Sequence, residues 1–484
     1  MRKPIRWEDV IQLNEWCIEI PESFRTDMRV PARAFITREM FEAIAQDRSL
    51  EQLVNVATLA GIQKAAFAMP DMHQGYGFPI GGVAAMAIDE GGVISPGGIG
   101  YDINCGVRLL VANRTFDELK SRLEKIADEL YHAVPSGVGR GGTFELDMHD
   151  LDKILQHGAH ELVRQGFGTQ EDLTHCEEGG CMELARPDLI SKQAKMRGID
   201  QLGTLGSGNH FLEVQRVEEI YDESTAHAFG LHKGLITVMI HCGSRGLGHQ
   251  TCTDYVSLMN RSMMQWGYQL PDRELVCAPF LSAEGQSYYG AMAAAANFAW
   301  ANRHMIAVRV REAFARAVKD VHIATVYDVS HNIGKVETHD FNGKKKRVIM
   351  HRKGATRSFG PGRIEIPDAY RAVGQPVLIP GTMGTSSYVL AGTSEGMDVA
   401  FGSCCHGAGR SMSRTEAKKR VDGVSLRKEL ESHHIIVRCD SNRGLAEEAP
   451  FAYKDVDAVV QVVEKAKIAK KIARLVPVAV IKGG

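Results

Sequence analysis

Apolar residues recur at helical spacing in three stretches of the chain. From Thr115 to Tyr131, Phe116, Leu119, Leu123, Ile126 and Leu130 share one face, and Thr115 with Glu118 makes a capping box at its start. Residues 286–318 are alanine-rich, with Phe298, Trp300, Ile306, Val310 and Phe314 interspersed, the pattern of a long, largely buried helix. Asp455 to Leu475 reads as a last amphipathic helix, followed by a short tail, VPVAVIKGG. Between these lie apolar runs of strand type: GVAAMAI, VRLLVAN, NHFLEVQ, GLITVMIH, IATVYDV, PVLIP, SYVLAG and HHIIVRC. They mix with helices without a steady βαβ beat, which predicts an α+β fold rather than a doubly wound sheet. No linker, repeat or composition break divides the chain, so residues 1–484 are expected to form a single large domain of mixed sheets flanked by helices.

Composition narrows the function classes. Of 484 residues, 44% are hydrophobic and 24% charged, a globular balance that excludes a disordered chain, a coiled coil or a collagen-like polymer. A formal net charge of −2 excludes a globally basic nucleic-acid coat and leaves room for a local basic groove. The opening MRKPIRWEDVIQLNEW has no apolar core of a signal segment, and no apolar run has membrane-spanning length. The 10 cysteines are scattered too thinly for a disulfide scaffold. The expectation is a soluble, reduced, cytoplasmic protein whose thiols are free to act as metal ligands.

Chemistry concentrates where short apolar strands run into glycine turns. Asp102 and Cys105 lie in GIGYDINCGVR, His210 in GSGNHFLE, His241 in IHCGSRG and His331 in VSHNIG. Each histidine alone is more often a packing residue than a ligand. Together, a carboxylate, a thiolate and three imidazoles at one kind of junction make a mixed O/S/N donor set suited to Mn, Co, Zn or Fe. His175-Cys176 with Cys181 matches no zinc spacing and reads as ordinary thiols, and Cys404 and Cys405 read as packing residues.

His406 sits among small residues in CCHGAGR, followed by Arg410 and Arg414, which fall on one face if a helix starts there. A neutral imidazole beside two guanidinium groups suits a phosphoryl or nucleotidyl acceptor; solvated arginines on a capped helix are the plainer alternative. No GxxxxGK[ST] loop occurs, and Arg420-Val-Asp422-Gly423 lacks the lysine of a Lys-x-Asp-Gly nucleophile. The turn GTMGTSSY, with Thr382 and Ser387, offers hydroxyls and N–H groups to a phosphate or a base edge. Lys344 to Arg347, then His351, Arg352, Lys353 and Arg357, form the clearest basic stretch, either a solvated hairpin or a polyanion contact.

The ordered motifs PDMHQGYGFPIGG, GGIGYDINCGVR, GSGNHFLEV, IHCGSRGLGHQ, SHNIGK, HRKGATRSF, PGTMGTSSYVL and CHGAGRSMSR resemble those of the RtcB family of RNA-splicing ligases, from about residue 60 to Lys482. The resemblance implies a GTP- and Mn²⁺-dependent ligase that joins RNA 3′-phosphate or 2′,3′-cyclic phosphate ends to 5′-hydroxyl ends, in tRNA splicing or RNA repair. It implies guanylylation of His406 and two Mn²⁺ ions on Asp102, Cys105, His210, His241 and His331, with Cys105 bridging. It places Asn209, Glu213, Asn332, Thr382, Ser387, Arg410, Tyr453 and Lys482 at the nucleotide, with Asn209 and Glu213 expected on one strand face. Asp71, Arg245 and Arg414 match positions at the RNA substrate, whose ends would come from broken or intron-excised tRNA. An activating protein of the archease type is a further implied partner. Two departures stand out: Thr382 holds a turn position where serine is expected, and Cys405 sets a thiol beside His406, which would make guanylylation sensitive to oxidation.

Overall fold

A computed structural model describes residues 4–45, 47–137, 141, 142, 144 and 146–483, so Met1, Arg2 and Lys3 of the opening stretch lie outside the described residues. Two large sheets dominate. The first is seven-stranded, in the order Ile11–Asn14, Cys17–Ile20, Ala32–Ala34, Ala66–His73, Ile80–Ala87, Lys344–Lys353, Asn332–Phe341. The second runs Ile323–Ser330, Gly106–Thr115, Leu235–Cys242, Phe211–Ile220, Ala469–Lys482, Ser387–Gly392, Pro376–Ile379, and Ile436–Cys439 joins Ala469–Lys482 in parallel. With helices interspersed, this is the α+β class, and each of the eight apolar runs named above overlaps one of these strands.

Strand register decides where the chemistry sits. In the second sheet Ser330 pairs with Gly106, Gly106 with Cys242, and Phe211 with His241, all antiparallel. Antiparallel neighbours bring the end of one strand beside the start of the next. His331, Cys105, His241 and His210 therefore line up along one edge. His331 is also the single residue between Ser330 and Asn332, where the chain passes from the second sheet into the first.

The long helix spans Ala283–Ala317, close to the expected 286–318, and its N-terminal N–H groups are capped by Ser282, which accepts from Gly285 at 3.1 Å. Its alanines let it thread the interior, where Tyr288 to Ala307 are buried without a break. From its middle, Arg303 reaches beneath the strand ends with no exposed surface. Its guanidinium donates to Asn104 O at 2.7 Å, Cys242 O at 2.9 Å and Asp328 Oδ1 at 2.7 Å. Asp328 also accepts from Arg108 at 2.8 Å. Burial would raise the Asp328 pKa, but the two guanidinium groups hold it below the usual carboxylate range.

Three expectations are corrected here. The Thr115 capping box is present, but the helix it starts is short, Phe116–Leu119; Lys120–Arg122 wind as a 3₁₀ turn before a second helix, Leu123–Ala133. The last helix ends at Lys465, and Ala469–Lys482 is an interior strand. There the β-branched run outweighs helical periodicity, and Pro477 sits beside a register shift in the pairing with Phe211–Ile220, a place where strands tolerate proline. The basic stretch forms a hairpin turned by Asn342-Gly343, both at positive φ. Only Lys344, Lys345 and Arg347 are exposed; His351, Arg352, Lys353 and Arg357 are buried. Arg352 pairs with Glu337, Arg357 with Glu178, and Lys353 donates to carbonyls including Gly97 O at 3.0 Å.

Asp328→Ala leaves two enclosed guanidinium groups without a counter-charge and is expected to cost on the order of 3–5 kcal/mol. Thermal unfolding of the variant checks this; a wild-type melting temperature would show that the network adds nothing to stability.

Candidate functional site

At the aligned strand ends, ligand-type atoms converge in two groups that share one sulfur. Cys105, His241 and His331 form one, and Asp102, Cys105 and His210 the other, with the donor atoms of each within 4.8 Å of one another. Cys105 Sγ lies 3.3 Å from His241 Nε2 and 3.5 Å from His210 Nε2. His241 Nε2 and His331 Nε2 are 3.3 Å apart, and His210 Nε2 is 2.8 Å from Asp102 Oδ2. His210 Nδ1 faces Leu205 O at 3.1 Å, an outer partner that fixes the ring and turns Nε2 inward. Asn332 braces the loop by donating to Asp102 O at 3.1 Å.

The electrostatics follow from burial. Burial, then the charge on His210, drives His241 neutral; burial, then His406, does the same to His331. Two neutral imidazole lone pairs and a sulfur aimed at one point form a cavity for a cation. Burial pushes the Cys105 thiol up to about 12, with Asp102 adding to the shift. Asp102 itself, despite burial, is held down to about 2 by its bond to His210. A metal ion would be needed to make Cys105 a thiolate at neutral pH.

His406 follows the short strand Ser403–Cys405 and stands beside this cluster, its ring 4.9 Å from that of His331 in an edge-on arrangement. Asp71, fully buried, accepts from His406 Nδ1 at 2.5 Å and from its backbone N–H at 3.1 Å. That bond assigns a proton to Nδ1 and leaves Nε2 without a hydrogen-bond partner among the described residues. Both groups open on a cavity of about 280 Å³ lined also by Asn209, Asn332, Thr382, Arg410, Arg414, Tyr453 and Lys482.

Several expected residues meet there by routes other than those read from spacing. Arg410 and Arg414 do not share a helix face: Arg410 is in extended backbone bridged to Tyr453, and Arg414 opens the helix Arg414–Arg420. They converge instead on Glu448, through Arg410 Nη1 at 2.9 Å and Arg414 Nε at 2.8 Å, and Tyr453 donates to the same carboxylate. Asn209 precedes the strand Phe211–Ile220 and is exposed, whereas Glu213 lies inside that strand and is buried, so the two share no strand face. Burial pushes Glu213 up to about 8, and its Oε1 has no partner among the described residues. Ser387 lies behind the wall with its hydroxyl accepting from Gly381 N at 3.1 Å and from Gln215 at 3.0 Å. Thr382 keeps the hydroxyl expected of serine, 3.0 Å from Thr385 Oγ1. Arg245 lies away from the cavity wall and donates to Thr204 at 3.3 Å.

Cys405 is enclosed, and burial raises its thiol well above the usual range, which opposes oxidation beside His406. Cys176 is buried and Cys181 partly so, as ordinary thiols. Spacing did not reveal Glu448, which no local pattern distinguishes from Glu447, or His73, which lines the cavity and is driven down to about 4 by burial.

Paired donor groups sharing a thiol, beside a histidine braced by a carboxylate, mark the chain as a candidate metalloenzyme with a histidine nucleophile. A family model described as tRNA-splicing ligase RtcB matches residues 52–483. The tRNA-splicing ligase RtcB of Thermococcus kodakarensis is 55% identical over 469 residues, 96% of this chain and 97% of its own. The protein of the same description from Archaeoglobus fulgidus is 52% identical over 476 residues, 98% of each chain. An RNA-splicing ligase RtcB from Mycobacterium tuberculosis is 52% identical over 434 residues, 89% of this chain and 100% of its own. The chain belongs to the RtcB family.

Glu448→Ala is expected to destabilise by roughly 1–3 kcal/mol, less than a fully enclosed pair because Arg414 is partly solvated. Thermal unfolding against Glu448→Gln, which keeps an acceptor, separates charge from packing; equal melting of all three proteins would remove Glu448 from this role.

Proposed function

We propose that this protein is a GTP- and Mn²⁺-dependent RNA ligase, joining 3′-phosphate or 2′,3′-cyclic phosphate ends of cut or broken tRNA to 5′-hydroxyl ends through a guanylylated His406. The observation that carries the reading is the free Nε2 of His406, oriented by Asp71, beside two donor groups that share Cys105. The whole chain would act as one catalytic domain.

His406 Nε2 attacks the α-phosphorus of GTP, a P–N bond forms and pyrophosphate leaves. Asp71 holds the Nδ1 proton and stabilises the positive charge that the ring gains, the part a carboxylate plays behind a catalytic histidine. An oxygen of the RNA 3′-phosphate then attacks the same phosphorus, the P–N bond breaks and His406 recovers its lone pair. The 5′-hydroxyl finally attacks the activated 3′-phosphorus and GMP departs. Arg410 and Lys482 lie on the cavity wall where they offset phosphate charge. Thr382, Asn332 and Tyr453 on the wall are assigned to holding the nucleoside, with Ser387 and Glu213 behind them and the unpartnered Glu213 Oε1 as an acceptor for a purine N–H that reaches it. Mn²⁺ on Asp102, Cys105, His210, His241 and His331 would supply Lewis-acid stabilisation, and the donor set fits a borderline cation.

Intact mass after incubation with GTP and Mn²⁺ tests the nucleophile. A GMP adduct is expected on wild type and not on His406→Ala, and it should disappear when RNA with 3′-phosphate ends is added. An adduct that survives His406→Ala would sink the assignment.

Elemental analysis tests the shared thiol. Wild type should bind two Mn²⁺ per chain; Cys105→Ala should bind neither firmly, whereas His331→Ala and His210→Ala should each weaken one. Full occupancy in Cys105→Ala would show that the sulfur is not a common ligand.

A further inference from the structure

The cavity continues into a second depression that none of the roles above uses. It has a volume of about 410 Å³ and is lined by Ser207, Gly208, Asn209, Arg414, Ser441, Arg443, Gly444, Glu447 and Gly483. Two of these, Asn209 and Arg414, also line the cavity that holds His406, so the two spaces share a wall.

The charge balance favours an anion. Glu447 is the single acid on the lining, and its carboxylate is already engaged by Lys418 at 2.7 Å. Arg414 donates to Glu448 through Nε, and a guanidinium has five N–H donors. Its head lies against Gly208, where an added Cβ would come within 3.3 Å of Nη2. Arg443 is exposed, and its guanidinium has no hydrogen bond or ion pair among the described residues, while its backbone N–H is bonded to Ser441. The side chain of Asn209 is likewise exposed and without a hydrogen bond among the described residues.

The lining chemistry also says which part of a polyanion fits. No aromatic or aliphatic side chain is present, so no ring platform for a base lines the groove. Guanidinium, amide and hydroxyl groups match phosphate and sugar oxygens, which position a strand without reading its sequence.

We propose that this groove is a binding subsite for a phosphodiester of the RNA, one or two nucleotides from the end being joined, with Arg443 as its outer phosphate contact. The proposal rests on the ligase reading above and adds a residue and a path to it. Either the 3′-phosphate strand or the 5′-hydroxyl strand supplies the same chemistry, and the test separates them.

Arg443→Ala and Arg443→Lys are assayed as full-length, Mn²⁺-loaded protein. Self-guanylylation is measured first: no adduct on wild type would count against the ligase reading itself, apart from the groove. One arm then follows single-turnover transfer of GMP from guanylylated enzyme to an RNA 3′-phosphate, with no second strand present. The other follows sealing of a pre-activated 3′ end to a separate 5′-hydroxyl strand. In one arm Arg443→Ala should raise the half-saturating RNA concentration about tenfold, the loss of one charged hydrogen bond. The slope of log affinity against log salt should become shallower by about 0.7, and Arg443→Lys should retain most of it. The affected arm names the strand, and shortening that strand to one nucleotide should erase the difference. Unchanged half-saturation and salt slope in both arms, whatever the maximal rate, would overturn the subsite.

Discussion

Arg303 places a fully enclosed guanidinium between the long helix and the strand ends that carry the donor groups. It bonds at once to the carbonyls of Asn104 and Cys242, the neighbours of Cys105 and His241, and to Asp328 two residues before Ser330. A charge in that position is tolerable only with Asp328 opposite and every donor satisfied. Given that arrangement, the three strand ends cannot shift separately. The positions of the sulfur and imidazoles then follow from a rigid base rather than from the loops.

The same principle recurs outward from the cluster, where acids fix the basic side chains around them. Asp71 holds His406, Glu448 holds Arg410, Arg414 and Tyr453, and Glu177 holds Lys335. Pre-set partners keep side chains in one rotamer before any ligand arrives, which lowers the ordering cost of binding. Glu448 has a second effect. It takes one donor from each arginine, and the other donors of Arg410 go to Met412 O at 3.1 Å, the Tyr453 hydroxyl at 3.2 Å and Glu447 O at 3.0 Å, so the plane of that guanidinium is fixed on several sides.

What the sequence revealed and concealed follows from which signals are local. The strand runs and the alanine-rich helix were legible because their periodicity is written in consecutive residues. The donor cluster was legible because glycine turns flank Asp102, Cys105, His210, His241 and His331 in the same way. Ala469–Lys482 was misread because Lys470, Lys471 and Arg474 mimic the polar face of a helix, and only pairing with the strands at Phe211–Ile220 and Ser387–Gly392 decides the outcome. His351, Arg352 and Lys353 looked like surface charge because their counter-groups, Glu337 and the carbonyl of Gly97, are distant in the chain or carry no side-chain signal. Glu448 was invisible for the same reason: its importance is a meeting of residues 410, 414 and 453.

Two glycines show how sequence enforces the closeness that the chemistry requires. A Cβ at Gly106 would stand 2.4 Å from Val329 O and about 3.0 Å from the Arg303 guanidinium, so any side chain there would pry apart the strands that present Cys105 and His331. A Cβ at Gly243 would stand 2.3 Å from Asp102 Oδ1, in the space where Ser244 N–H donates to that same oxygen at 3.0 Å. The first contact is with backbone and no rotamer change relieves it; the second is relieved only by turning the Asp102 carboxylate away from Ser244 and His210. The glycines of CGVR and HCGSR are therefore conditions on the donor geometry: a side chain at the first parts the strands that present Cys105 and His331, and one at the second displaces the carboxylate that meets His210.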